Sequence, residues 1–143
     1  MNENTRRHDN LTPSQRKRTM KSVHSKDTKP EMKVRRLIHN MGFRYRLHRS
    51  DLPGKPDLVF PSKHKVIFIH GCFWHGHNCK RGQRMPVTNQ EYWLAKLNRN
   101  KERDKNNQEK LRKLGWDVLI LWECQLKDIP ELKQSVIDYL SSP

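Results

Sequence analysis

Apolar positions along this chain change their period several times, and each change marks an element. Val34, Leu37, Ile38 and Met41 fall at i, i+3, i+4 and i+7, the spacing of one buried helix face. Thr28-Lys29-Pro30-Glu31 precedes them with a cap-and-proline start, and Gly42 follows as a stop. Phe43, Tyr45 and Leu47 alternate with basic residues, which predicts a half-buried strand over 43–48. The turn Leu52-Pro53-Gly54-Lys55-Pro56 leads into a short strand, Asp57-Leu58-Val59-Phe60. A second turn, Pro61-Ser62-Lys63-His64, leads into another, Lys65 to Ile69, apolar on both faces and so suited to the centre of a sheet. After a loop over 80–90, a charged helix runs from about Asn89 to Leu114 and is closed by Gly115. Trp116 to Trp122 reads as a further strand. Asp128-Ile129-Pro130-Glu131 starts a last helix with Leu132, Val136, Ile137 and Leu140 on its apolar face. Helix, three strands, helix, strand, helix is the order of an α/β domain without internal repeats.

Upstream of this pattern the apolar signal disappears. Residues 1–11 are polar and read as a flexible tail that orders when a partner binds. Thr12-Pro13-Ser14-Gln15 starts a helix over 12–24 that is basic almost all round, with Met20 its one bulky apolar side chain. With no stripe to bury, that helix suits a track of phosphates. Residues 12–143 then form a single domain.

Charge sharpens this picture. The net charge is +15, with fourteen Lys/Arg against four Asp/Glu in residues 1–50. Such a balance predicts a polyanionic partner. Between Lys96 and Lys113 the long helix adds eight Lys/Arg against three Asp/Glu, so its surface is basic too. No apolar run approaches the ~20 residues of a membrane span, and the polar N-terminus lacks a signal region. These features exclude a membrane role and predict a cytoplasmic protein.

The chemistry concentrates in Val66 to Cys79, a buried strand that turns at Gly71 and then carries cysteines, histidines and two adjacent aromatics. Cys72, His77, Cys79 and Cys124 are enough for a closed tetrahedral structural zinc site that uses all three cysteines of the chain. Asp57 opens one strand, and polar groups end the next, so they can converge on magnesium, which takes few protein ligands and keeps its waters. His70 and His75 both titrate near neutrality and suit proton transfer at a phosphate. His75 equally suits zinc, and spacing does not separate the roles. Glu31 sits at the third position of its helix, where capping alone would account for it; it could also face the site and bind metal waters, and spacing favours the cap. Phe73 and Trp74, neighbours in an extended segment, should point to opposite sides and stay exposed for stacking on bases. Trp93, Lys96 and Asn100 share one helix face that suits base contact, with anchoring to the core as the alternative for Trp93.

Gly54-Lys55-Pro56-Asp57, the run Val66 to His75, Glu102-Arg103-Asp104 and the segment Leu114 to Cys124 together resemble the very-short-patch mismatch repair endonucleases of bacteria, over roughly residues 15–126. The resemblance implies a restriction-endonuclease-like core, a mixed central sheet flanked by helices, joined by the basic N-terminal helix and a structural zinc site. It implies a monomer that nicks double-stranded DNA 5′ of the thymine in a T:G mismatch left by 5-methylcytosine deamination, on the bacterial nucleoid. Asp57 and the Ile69 carbonyl would hold magnesium, His75 would assist proton transfer, and Glu31 and His70 would support the site. Cys72, His77, Cys79 and Cys124 would hold zinc. Phe73, Trp74 and Trp93 would open the duplex, Lys96 and Asn100 would read the mispair, and Met20 would wedge the minor groove. In place of the Glu-x-Lys of the broader nuclease superfamily the chain has Phe68-x-His70. Two rivals share these residues: a zinc-stabilised DNA-binding module without catalysis, and a restriction-type nuclease on unmodified duplex. Contact with other mismatch-repair proteins is left open.

Overall fold

The computed structural model describes residues 28–80 and 82–143; the tail 1–11 and the helix 12–24 with Met20 lie outside the described residues. Thr28 caps helix α1 (Lys29–Asn40) by accepting from the Glu31 N–H. Val34 and Ile38 on its inner face are fully buried, worth about 1.5–3 kcal/mol each. The predicted strand over 43–48 shrinks to β1 (Arg46–Leu47), which pairs with β2 at the sheet edge. Phe43 and Tyr45 pack on the core as expected, whereas Leu47 is 38% exposed at this edge.

β2 (Leu58–Phe60) and β3 (Lys65–His70) form an antiparallel pair joined by the single 3₁₀ turn Pro61–Lys63. Helix α2 (Gln90–Lys113) then carries the chain across to β4 (Asp117–Trp122), which lies parallel to β3. The 3₁₀ segment Glu123–Lys127 leads to α3 (Ile129–Ser141). The sheet order is β1-β2-β3-β4, so β3 is interior, as its two apolar faces require.

Side-chain alternation divides the core between the two sheet faces. Leu58, Phe60, Ile67 and Leu121 point toward α1 and α3, where they meet Val34, Ile38, Leu132, Val136 and Leu140. Val59, Val66 and Phe68 point the other way, toward Leu52 and Leu111 of α2. Ile137, expected on the apolar face of α3, is 39% exposed, because Val136 and Leu140 already fill that contact. Among the described residues no helix is long and apolar enough to cross a membrane.

At the amino ends of the parallel pair, Lys65 is buried, its Nζ donating to Asp117 Oδ2 at 3.0 Å and Ser142 Oγ at 3.1 Å. Tyr139 Oη donates to the Val66 and Asp117 carbonyls, both at 2.8 Å. These contacts tie α3 to the β3–β4 register. The other end of the sheet is left for chemistry.

The loop before β2 is seated as tightly. Gly54 has φ +77°, and a Cβ there would lie 3.0 Å from Asn107 Cβ and 3.2 Å from Phe68 Cζ. Gly54→Ala is therefore expected to lower stability by about 1–3 kcal/mol in denaturant melts. An unchanged midpoint would show that this loop does not depend on its contact with α2.

Candidate active site and metal centre

Two acids meet a histidine where β2 begins. Asp57 lies just before β2, and its Oδ2 accepts the Ile69 N–H at 2.7 Å from the neighbouring strand. Glu31 reaches the same place from α1. Its backbone is capped by Thr28 as the sequence suggests, but its carboxylate is buried and turned inward. Glu31 Oε2 is 2.7 Å from His48 Nε2 and 3.4 Å from an Arg35 nitrogen. Capping alone thus does not account for Glu31; a glutamate at this helix position can fold back or reach across, and here it reaches across. Glu31, His48 and Asp57 each bring a ligand-type atom within 4.8 Å of the others.

Burial raises the Asp57 carboxyl to about 7; the bond from Ile69 N–H opposes this, and the nearby Glu31 adds to it. A proton or a cation is needed to make two such acids compatible. This oxygen-rich, partly buried donor set fits a hard divalent ion. The structure brings the Ile69 backbone to Asp57 through its N–H.

A second cluster stands at the ends of β3 and β4. His70 is buried, and its ring stacks on His75 with centroids 3.6 Å apart. His75 Nδ1 lies 2.5 Å from Asp104 Oδ2. The carboxylate holds the proton on Nδ1 and leaves Nε2 facing outward chemically, as an acceptor. Burial tends to raise Asp104, but its bond to His75 and the nearby positive charges outweigh this and lower it. His70 is pushed down to about 3, by burial first and His75 second, so it is neutral. His70 Nδ1 is buried with no hydrogen-bond partner among the described residues, which suits a bond to an ordered internal water.

Cys72, His77, Cys79 and Cys124 form the third cluster, with ligand atoms all within 4.8 Å. Cys72 Sγ accepts the Cys124 N–H at 3.4 Å, and Cys79 Sγ accepts the Gly82 N–H at 3.3 Å, as ligating thiolates do. The Gly82 N–H brings Cys79 down to about 7, while burial pushes Cys72 up to about 12. The buried thiol needs a positive charge beside it to ionise, so sulfur chemistry and geometry both fit a soft tetrahedral cation. His77 belongs to this group and stacks on Trp122 at 4.1 Å. His75, which the sequence left between two roles, lies in the Asp104 cluster instead.

Between these clusters the chain is not extended. His75 N–H bonds the Gly71 carbonyl, Gly76 N–H that of Phe73 and His77 N–H that of Cys72. This compact turn overturns the expectation that Phe73 and Trp74 diverge and stay exposed. Both are half-buried, their rings meet edge to face at 5.2 Å, and Trp93 lies 5.7 and 5.8 Å from them. Trp93 is 5% exposed and anchors α2 under the pair. Asn100 Nδ2 donates to the Trp74 carbonyl at 2.9 Å, and Lys96 is half-buried on the same helix face. Asp104 and His48 were missing from the sequence-derived set. Asp104 follows Asn100 by four residues on that face, a signal that was present; His48 gave none, because its partner lies seventeen residues away.

The Asp57 shift has a testable sign. The folded state holds this proton more tightly than the unfolded chain, so the contribution to stability is full below about pH 4 and lost as pH rises through 7. Without added magnesium, Asp57→Asn is expected to melt above the parent at about pH 8, with a gap that narrows toward about pH 5. A variant that melts below the parent at the higher pH contradicts the buried-acid account.

The family model described as DNA mismatch endonuclease Vsr matches residues 8–81. A type II nicking enzyme, V.XorIIP of Xanthomonas oryzae pv. oryzae, is 48% identical over 87% of this chain and 91% of its own length. The type II nicking enzyme V.NmeAIP of Neisseria meningitidis is 46% identical over 84% and 85%. DNA mismatch endonuclease Vsr of Escherichia coli K12 is 38% identical over 91% and 81%. Buried paired acids, a histidine–aspartate pair and a cysteine–histidine cluster thus stand on a sequence that aligns along most of its length with these enzymes, and the chain belongs to the DNA mismatch endonuclease Vsr family.

Proposed function

We propose that this chain is a magnesium-dependent DNA endonuclease that nicks one strand 5′ of the thymine in a T:G mismatch left by deamination of 5-methylcytosine. The observation that carries the reading is the placement of the Asp57–Glu31 pair and the His70–His75–Asp104 relay beside the carboxyl ends of β2's partner strands. Magnesium held by Asp57 and the Ile69 carbonyl, with Glu31 beside them, would supply a polarised phosphate and an acidified water. Asp104 fixes the His75 tautomer, so Nε2 is the nitrogen that exchanges a proton with the attacking or leaving oxygen. His70, kept neutral by burial, supports the His75 ring.

Zinc at Cys72, His77, Cys79 and Cys124 would be structural, because four protein ligands leave no open position. The core is restriction-endonuclease-like, residues 12–143 form one monomeric domain, and the tail 1–11 precedes it. Phe73 and Trp74 leave their packing on Trp93 to enter the stack beside the mispair, at a cost of a few kcal/mol that is least where pairing is already weak. Lys96 and Asn100 read the mispair, Met20 enters the minor groove, and the remaining basic surface follows phosphate. Relatives named nicking enzymes support a single-strand outcome. A DNA-binding module without catalysis would leave Asp57, Glu31 and the His75–Asp104 pair without a use.

Two duplexes that differ only in T:G against T:A test the reading. With magnesium, the protein is expected to nick the thymine strand of the first and spare the second. Equal cleavage of both contradicts mismatch specificity and favours a restriction-type substrate. Asp57→Ala should retain duplex binding in a gel-shift assay and lose nicking; full activity would remove Asp57 from the mechanism.

A further inference from the structure

His48 closes β1 and enters the acid cluster from the opposite side to α1. Its side chain is 17% exposed, and its Nε2 sits 2.7 Å from Glu31 Oε2. An ionised carboxylate only accepts, so Nε2 carries the proton of this bond. The His48 backbone has φ 47°, in the left-handed region, and its N–H reaches the Asp57 carbonyl at 3.4 Å. A Cβ makes that conformation costly, and such strain persists only where surrounding contacts hold it. Here the chain holds a histidine, rather than glycine, with its imidazole against the Glu31 carboxylate, which reaches Asp57 from another element.

We propose that His48 is a positioning residue for the catalytic cation: its Nε2–H pins Glu31 Oε2, so that the Glu31 carboxylate faces the cation beside Asp57 in one orientation. This rests on the reading of Asp57 and Glu31 as the magnesium site. Arg35, at 3.4 Å from the same oxygen, lies one turn along α1 and holds it from the helix side. Two donors on one oxygen, one from α1 and one from beyond β1, restrict the carboxylate's rotation more than a single flexible salt bridge does. An acid held this way gives up no rotamer freedom when the ion and its waters arrive, which is what an outer-shell donor contributes to metal affinity.

The test is Mn2+ binding to the full-length, zinc-loaded protein, followed by water-proton relaxation, in the parent, His48→Gly and His48→Gln. Glycine removes the imidazole and relieves the positive φ, so the fold should melt at or above the parent temperature. It is expected to bind Mn2+ about tenfold or more weakly, whereas glutamine, which keeps an N–H donor, should stay within about threefold of the parent. The magnesium concentration for half-maximal nicking should shift in the same order. A His48→Gly protein that binds Mn2+ like the parent overturns the inference, as does a glutamine variant as weak as the glycine one. An affinity loss that only tracks a fall in melting temperature overturns it in favour of packing. A parent protein that binds no Mn2+, and is indifferent to Asp57→Ala, overturns the magnesium reading itself and this inference with it.

Discussion

The parallel pairing of β3 with β4 is the constraint on which the rest of the site depends. Its register sets Lys65 beside Asp117 at one end and His70 beside Trp122 at the other. Two residues beyond that last pair on each strand stand Cys72 and Cys124, which the sequence separates by 52 positions. Sheet register therefore brings together Cys72 and Cys124, and the turn supplies His77 and Cys79 to complete the cluster of three cysteines and a histidine. A shift of one residue would turn the two strand ends to opposite faces and disperse it. Lys65 and Tyr139 hold that register from the far end, where a buried ammonium and a bifurcated hydroxyl bond α3 to both strands.

From this fixed end the chain folds into a compact turn that is clamped from two sides. Cys72 and His77 hold it toward β4, and one turn of α2 holds it from above. Asn100 takes the Trp74 carbonyl, Lys101 lies across Gly76 and Asp104 takes His75. Gly76 has φ +63°, a backbone conformation that an L side chain adopts only at a cost, so glycine suits the point where the turn meets the Lys101 side chain. The turn also separates neighbours by function. His75 goes to the Asp104 pair and His77, two residues on, to the cysteines, because a helical-type turn rotates successive side chains away from each other.

Much of the fold was legible because long-period patterns carry it. The i, i+3, i+4 spacing of Val34 to Met41 and the doubly apolar run of Lys65 to Ile69 give α1 and the interior strand directly. Short elements and compact turns were not legible in the same way. The strand over 43–48 keeps only two paired residues, since edge pairing depends on a partner's length as well as on alternation. Phe73 and Trp74 were read as extended and exposed; the backbone bonds that fold them together are made to Gly71, Phe73 and Cys72 carbonyls and leave no trace in residue type. Glu31 shows the same limit. A glutamate at the third helix position satisfies a cap motif whichever way its carboxylate turns, and the tertiary neighbours His48 and Asp57, with Arg35 one turn along the helix, decide it.

In the proposed zinc-bound state the cysteine–histidine cluster, with Cys72 and Cys124 set by β3–β4 register, braces the turn that carries His75 and the aromatic pair. Hydrogen exchange of the full-length protein, with zinc bound and after its removal by a chelator, tests this most directly. Loss of zinc is expected to speed exchange at the hydrogen-bonded amides of His75, Gly76, His77 and Gln83, while β3 and β4 stay protected. Exchange at those amides that is the same with and without the metal would contradict it.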